Sequence, residues 1–390
     1  MIVKDGKALE RLVAQLRAAG RFSFDTEFMR EGRYRPQLCL LQVAAPDGTS
    51  ALVDPVEGLN LGPFADLLRD PAIVKVVHAG GQDFEIFFER SADVPRNVFD
   101  LQIAAAFVGI GDKIGYAPLV KAVLGEDLNK TETFTDWSQR PLTPEQIDYA
   151  LEDVRPLLRL HDKLLADIRA LGREAWVQEE MNLRYGDAAA YRADTSQLYR
   201  FVGGAERLDR AELAVLRELA TWREQEAQAT NRPRQHVVHD VALVEIARRV
   251  PKTVHALRSM RGVHPQLVAR SGEEVLRRIR KGLKTPEADR PAELERHSKE
   301  PQEGTITDLL ETFLRVRSPE LKISPGVVAS RRELAELVRA SLAGKVEAAD
   351  VPVLKGWRRE LVGNDLLGFL QGRVRLRFDP ASKRVTVESA

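Results

Sequence analysis

Asp25 with Glu27, Asp83, and Tyr149 with Asp153 are the residues whose types and spacing could do chemistry. They stand in Phe24-Asp25-Thr26-Glu27-Phe28, His78-Ala79-Gly80-Gly81-Gln82-Asp83 and Tyr149-Ala150-Leu151-Glu152-Asp153, each setting acid where the neighbouring pattern is apolar. Four carboxylates converging without a Lys or Arg in these motifs would repel by roughly 1 kcal/mol per pair at about 4 Å even in water, and by more at lower dielectric. Divalent cations resolve that conflict. Hard oxygen ligands without His or Cys select Mg²⁺ or Mn²⁺ over zinc or copper. Two such ions can clamp the attacking and the leaving oxygen of a phosphodiester undergoing hydrolysis.

The elements that must carry these side chains follow from the same pattern. Successive strand residues point to opposite faces, so Asp25 and Glu27 share one face and Thr26 turns away from it. Asp83 follows a strand and the flexible Gly80-Gly81 pair, near the start of a helix whose dipole favours an ionised carboxylate. Tyr149 and Asp153, four apart on a helix, share a face. A phenol with an ordinary pKa near 10 suits orienting a water better than taking its proton.

Short apolar runs at 21–24, 37–44, 50–54 and 74–78 read as strands, and 63–69, 83–90, 100–108 and 117–124 carry helical spacing. Together they predict an α/β domain over residues 1–172, a sheet covered by helices. Thr143-Pro144-Glu145-Gln146 opens a helix with a capping hydroxyl, Pro at the first position and Gln at the third; it is expected to run unbroken to about Leu171. A connecting segment spans 173–207. Beyond it, helical spacing of Ala, Leu, Arg and Glu fills 208–284 and 305–372, two small all-α domains. Pro286, Pro291 and Pro301 among charged residues mark 285–304 as a linker. The extension at 373–390 alternates apolar and polar residues around Asp379-Pro380-Ala381-Ser382, a small hairpin.

Composition narrows the setting. With 390 residues, 44% hydrophobic and 30% charged, the chain has the profile of a cored protein of two or three domains. The 59 Lys and Arg against 58 Asp and Glu leave a net charge of +1, which by itself points to no polyanion. Cys39 is the only cysteine, so one chain builds no disulfide or zinc site, and its place in an apolar run reads as a buried strand thiol. No run approaches the roughly 18 apolar residues of a membrane span, and Met1-Ile2-Val3-Lys4-Asp5 lacks a signal-peptide core. The expectation is a cytoplasmic protein with no membrane contact and no obligate protein partner.

The three acidic motifs, in order, resemble the exonuclease motifs of the DEDD superfamily in its tyrosine-bearing branch. Tyr34-Arg35-Pro36-Gln37-Leu38-Cys39-Leu40-Leu41-Gln42 and Thr135-Asp136-Trp137-Ser138-Gln139-Arg140-Pro141-Leu142-Thr143 resemble the bacterial ribonuclease D family in particular. The block 208–284 is similar to the HRDC module of ribonuclease D and RecQ helicases, and 305–372, with Gly356-Trp357-Arg358-Arg359-Glu360-Leu361, to a divergent second copy. The resemblance implies a ribonuclease-H-like domain with a mixed sheet, two divalent ions (Mg²⁺ or Mn²⁺), and stepwise 3′-to-5′ release of nucleoside 5′-monophosphates from RNA. Its expected substrates are tRNA precursors and other small structured RNAs with 3′ extensions. Carried over by position, Asp25, Glu27, Asp83 and Asp153 are metal ligands and Tyr149 orients the water.

Contacts to substrate are less constrained by the sequence. Phe28 and Trp137 are either stacking faces for terminal bases or core residues. Lys130 and Arg140 could meet phosphate or be plain surface cations. His78 could touch substrate or cap its strand, and Asp148 and Glu152 read as solvated helix charges. From Arg248 to Lys284, eleven Lys and Arg stand against two acids, Glu273 and Glu274. That local excess, ending in Arg277-Arg278-Ile279-Arg280-Lys281, is the electrostatic footprint of phosphate binding, so Arg277, Arg278 and Arg280 are expected on an RNA face. Two rivals remain: a 3′-to-5′ DNA exonuclease in repair, since the metal site acts on any phosphodiester, and a non-catalytic RNA-binding scaffold.

Overall fold

The apolar runs assemble into one mixed six-stranded sheet in the order β1-β4-β3-β2-β5-β6. In this computed structural model, which describes residues 1–128, 135–192, 194–294, 301–346 and 349–390, the chain forms two compact units. The first is Met1–Glu27 with Leu38–Ala188 and Lys299–Ala390; the second is Phe28–Gln37 with Ala189–Ser298. No described helix is long and apolar enough to cross a membrane.

The strands are β1 (Ile2–Val3), β2 (Arg21–Met29), β3 (Gln37–Ala44), β4 (Ser50–Val53), β5 (Val74–Val77) and β6 (Val98–Asp100). β2 runs parallel to β5 and β5 to β6, β1 is parallel to β4, and β3 is antiparallel to β4. The helices of this part are α1 (Gly6–Ala19), α2 (Gly62–Arg69), α3 (Gly81–Ser91), α4 (Leu101–Phe107), α5 (Tyr116–Leu124), α6 (Pro144–Glu152), α7 (Leu157–Ala170) and α8 (Glu174–Tyr185).

β2 is two-faced, and that positions the site. Phe22 and Phe24 are buried on one face, 5.6 and 5.8 Å from Phe64 of α2, and Phe24 lies 5.2 Å edge-on to Phe84 of α3. On the other face the Ser23 hydroxyl donates to the Val154 carbonyl at 2.8 Å, just past α6. Aromatic pairs of this geometry add about 0.5–1.5 kcal/mol each beyond their buried area. One side of the strand is thus a rigid apolar anchor, leaving the other to present polar groups.

The expected single helix from Thr143 to Leu171 is two. The capping box at Thr143 and Gln146 forms as read, but α6 ends at Glu152 and α7 begins after Pro156. Pro156 has no N–H to donate back and its ring crowds the carbonyl four residues earlier, which is that of Glu152. The freed Glu152 carbonyl instead accepts the Tyr116 hydroxyl at 2.9 Å.

The second unit comprises α9 (Arg210–Thr230), α10 (Arg234–Val237), α11 (Asp240–Arg249), α12 (Val254–Arg258) and α13 (Pro265–Leu283). Leu213, Leu216, Leu219 and Trp222 of α9 pack with Leu243 and Ile246 of α11 and Val275, Leu276 and Ile279 of α13. The segment 28–37 is held here by polar contacts. The Tyr34 hydroxyl donates to Glu224, a carboxylate only 1% exposed that also binds Arg234, and Asn231 accepts from the Tyr34 and Arg35 amides.

The chain then forms α14 (Pro301–Leu321), α15 (Pro325–Val328), α16 (Arg331–Leu342), α17 (Gly356–Arg358), α18 (Asn364–Leu370) and the antiparallel pair β7 (Val374–Asp379) and β8 (Arg384–Ser389). α14 starts inside the span expected to be linker, because Pro301 opens a helix as readily as it marks a spacer. These elements belong to the first unit rather than standing apart. Buried Arg173 donates to the Phe107 and Lys322 carbonyls at 2.7 and 2.6 Å and to that of Leu321, tying the end of α14 to α4. Gly109, with φ of +78°, sits where a Cβ would come within 2.9 Å of the Lys322 backbone.

Candidate active site

Asp25, Glu27 and Asp153 converge. One carboxylate oxygen from each lies within 4.8 Å of the others, two from the polar face of β2 and one from the turn after α6. Asp153 keeps helical backbone angles, φ −71° and ψ −17°, and its N–H still bonds the Tyr149 carbonyl at 3.2 Å. The four-residue relation therefore survives the helix break, and the Tyr149 hydroxyl hydrogen-bonds Asp153.

Asp83 stands outside that three-carboxylate set. It lies in the first turn of α3, buried, and accepts a hydrogen bond from the hydroxyl of Thr26. Thr26 thus turns away from the Asp25 and Glu27 face, as alternation requires, and toward the fourth acid. Gly80 is not a flexible joint: a Cβ there would meet Val77 Cγ2 at 2.7 Å, so glycine lets the start of α3 close onto β5 and fixes Asp83.

Burial and then the charges of Asp83, Asp153 and Glu27 push the Asp25 carboxyl well above its ordinary value. Burial raises Asp83 to about 6 against hydrogen bonds from Thr26 and its own backbone, and the Tyr149 phenol is raised by burial, then by Asp153, Glu27 and Asp25. These are the signatures of a donor set short of positive charge. The residues present therefore fit divalent cations by donor chemistry and by mutual repulsion.

A pH dependence follows. Unfolded, Asp25 and Asp83 titrate near 4; folded, both hold their protons more tightly, so stability falls as pH rises through the interval between the two values. Protein treated with EDTA is expected to melt higher at pH 5 than at pH 7, the gain accruing as pH drops through about 6. Added Mg²⁺ or Mn²⁺ should reverse that order, and a metal-free melting temperature that declines from pH 7 to pH 5 contradicts it.

The remaining expected contacts distribute differently. Trp137 is 5% exposed and packs 5.9 Å from the Tyr149 ring, which makes it a support for Tyr149 and removes it as a stacking face. Arg140 is no free phosphate contact: its guanidinium forks onto buried Asp54 at 2.7 and 2.8 Å and donates to the Cys39 carbonyl at 2.7 Å. His78 Nε2 lies 2.9 Å from the Ile114 carbonyl, which also accepts from Gln102, so it holds the loop leading into α5. Phe28 is half-buried with the Arg30 guanidinium 5.9 Å from its ring. Lys130 lies outside the described residues.

Arg277 and Arg278 are engaged as well. Both chelate Glu274 at 2.6 to 2.7 Å, and Arg278, with a side chain 14% exposed, also reaches Gln225 at 2.8 Å. Helical spacing puts Glu274 three and four residues before them, so the cations are neutralised within their own helix. Arg280 alone of the three is exposed without an ion pair among the described residues.

Sequence reading missed Tyr116. Burial, then Asp153 and Asp25, push its phenol up, and its ring lies 5.6 Å from His78. No spacing signal could have found it, since it reaches the site through the Glu152 carbonyl, 36 residues later.

Residues 1–169 match the model of a 3'-5' exonuclease family, and residues 212–279 match the HRDC domain. Ribonuclease D of Granulibacter bethesdensis is 37% identical over 385 residues, covering 97% of this chain and 94% of that protein. The chain belongs to the ribonuclease D family. The ribonuclease D of Sphingobium indicum is 36% identical, with 96% of this chain and 95% of the relative covered. The crystal structure of Escherichia coli RNase D superposes with a TM-score of 0.82 at 30% identity, over 95% of this chain and 98% of that one. As a ribonuclease D, the chain is a 3′-to-5′ exoribonuclease with RNA as its substrate, and the acidic cluster lies inside the matched exonuclease region.

Proposed function

We propose that Asp25, Glu27, Asp83 and Asp153 hold two divalent ions, Mg²⁺ or Mn²⁺, and that the enzyme releases nucleoside 5′-monophosphates one at a time from RNA 3′ ends. The observation that carries this reading is the convergence of three carboxylates within 4.8 Å, with Asp83 adding the strongest of the charges felt by Asp25. Bound ions supply charge stabilisation at the attacking and leaving oxygens. The chain's own residues do the positioning. Asp25 and Glu27 offer oxygens from a strand whose other face is locked by Phe22 and Phe24, and Asp153 completes the set from the turn that Pro156 forces. Tyr149, backed by Trp137, aims its hydroxyl at the water that attacks.

The substrates we propose are tRNA precursors and other structured RNAs with 3′ extensions, work that fits a cytoplasmic enzyme. The E. coli RNase D is described as an exoribonuclease involved in structured RNA processing, which supports the class. Within the chain we assign catalysis to residues 1–172, RNA contact to the helical block 208–284, and a supporting role to 305–372.

The test is a 5′-labelled tRNA precursor incubated with Mg²⁺ or Mn²⁺ and with EDTA. Stepwise shortening that EDTA abolishes is expected, and faster loss of a matched DNA strand would return the reading to a DNA exonuclease. Tyr149→Phe should lower kcat about 10- to 100-fold with little change in KM, as expected for losing one hydrogen bond worth about 1.5–3 kcal/mol. An unchanged kcat would remove Tyr149 from the mechanism.

A further inference from the structure

The second unit contains a groove of about 530 Å³ among the end of α9, α10 and the amino end of α13. Arg232, His236, His239, His264 and Arg270 line it, and Glu226 is the one acid among its described lining residues. Its volume is that of a site for small ligands or a few nucleotide groups. α13 is 19 residues long and starts at this groove, with His264 as its capping residue, so its dipole adds partial positive charge there.

Charge pairing separates this groove from the basic run farther along α13. Arg277 and Arg278 bind Glu274, and Lys281 binds Glu218 at 2.8 Å. By contrast no Asp or Glu occurs between Glu245 and Glu273. Within that acid-free stretch, Lys252, Arg258, Arg261 and Arg270 have no ion-pair partner among the described residues. Arg232 uses one donor on the His236 carbonyl at 2.9 Å, and its guanidinium is exposed. Arg232 and Arg270 therefore bring two guanidiniums without an acidic partner among the described residues into the groove, whereas within the Arg277 to Lys281 run only Arg280 lacks one.

We infer that this groove, rather than the Arg277 to Lys281 run, is where the helical unit takes single-stranded RNA, with backbone phosphates at Arg232, Arg270 and the start of α13 and bases against the imidazole faces. Phosphate contacts supply affinity without sequence preference, and imidazole and guanidinium planes stack on unpaired bases. The inference rests on the RNA-substrate reading above.

Fluorescence anisotropy of a 5′-labelled single-stranded RNA with the full chain in EDTA tests it. Arg270→Glu should raise Kd about tenfold and reduce the salt slope by about one unit, whereas Arg277→Glu and Arg280→Glu should each change Kd less than about twofold. Arg270→Gln, with a smaller effect of the same sign, decides the matter if the charge reversal alters the melting curve. Wild-type binding with Arg270→Glu and Arg270→Gln unaffected overturns the groove while leaving the RNA reading intact. Equal losses in Arg280→Glu overturn it too, as does duplex RNA competing equally with single strands. A wild-type chain that neither binds nor shortens RNA fails the underlying reading instead.

Discussion

Asp25→Asn should lower the rate of RNA degradation by about a thousandfold, equivalent to about 4 kcal/mol of transition-state stabilisation. Asp25 shares the face of β2 with Glu27, meets Asp153 within 4.8 Å, and feels the Asp83 charge most strongly of the three acids around it. Removing its charge takes one of the proposed metal ligands from that set while keeping the shape of the side chain. The same substitution should stabilise the metal-free protein, because a buried carboxyl pushed well above its ordinary value is a liability until cations arrive. Relief of like-charge repulsion on the order of 1 kcal/mol would raise Tm by about 2–4 °C. Activity within tenfold of wild type, or a lower metal-free melting temperature, would contradict the assignment.

Arg140→Ala is expected to destabilise the first unit by about 3–5 kcal/mol, roughly 10 °C in melting temperature. Its guanidinium makes five hydrogen bonds: two to Asp54, and one each to the carbonyls of Cys39, Trp137 and Gln139. The Asp54 side chain is 5% exposed. Burial by itself would raise that carboxyl, yet hydrogen bonds from Arg140 and the Val56 amide hold it below its ordinary value. Without Arg140 a buried charge loses its main partner, the mechanism that makes breaking such pairs severe. Arg140→Lys should recover little, since an ammonium cannot fork onto a carboxylate. Arg140→Leu combined with Asp54→Leu should recover more than either single change. Thermal unfolding decides, and a loss below about 1 kcal/mol would make the pair ornamental. Because Trp137 hangs between Arg140 and Tyr149, a lowered kcat should accompany the lost stability.

The three acidic motifs were legible because their signals are local. A strand fixes Asp25 and Glu27 on one face by its two-residue period, and a helical turn brings Tyr149 to Asp153 whether or not the helix continues. The strands at 37–44 and 50–54 were legible as apolar runs bounded by turn residues. β1, two residues long, and β6, three residues long, were not, since runs so short carry no period. The break before α7 could have been read from Pro156, whose missing N–H and crowded ring outweigh the helical spacing on either side.

Trp137, Arg140, Arg277 and Arg278 show where residue type misleads. An aromatic or a cation is chemically suited to a base or a phosphate wherever it sits, and only its neighbours decide whether it is available. Glu274 lies within a helical turn of Arg277 and Arg278, so that pairing was in reach of spacing; Asp54, 86 residues from Arg140, was not.

By itself the sequence singled out the acids to which we assign the chemistry, the faces they share within each element, and the composition that separates an α/β part from helical ones. Tertiary structure decided what each element meets. It set Thr26 on Asp83, Tyr116 on the carbonyl that Pro156 frees, Arg140 on Asp54, and α14 to α18 into the same unit as the sheet. It also neutralised Arg277, Arg278 and Lys281 toward the end of α13 while leaving Arg270, nearer its start, without an ion pair among the described residues. The physical reason is range: periodicity and capping act over a few residues, whereas ion pairing and burial depend on groups the chain brings together from far apart.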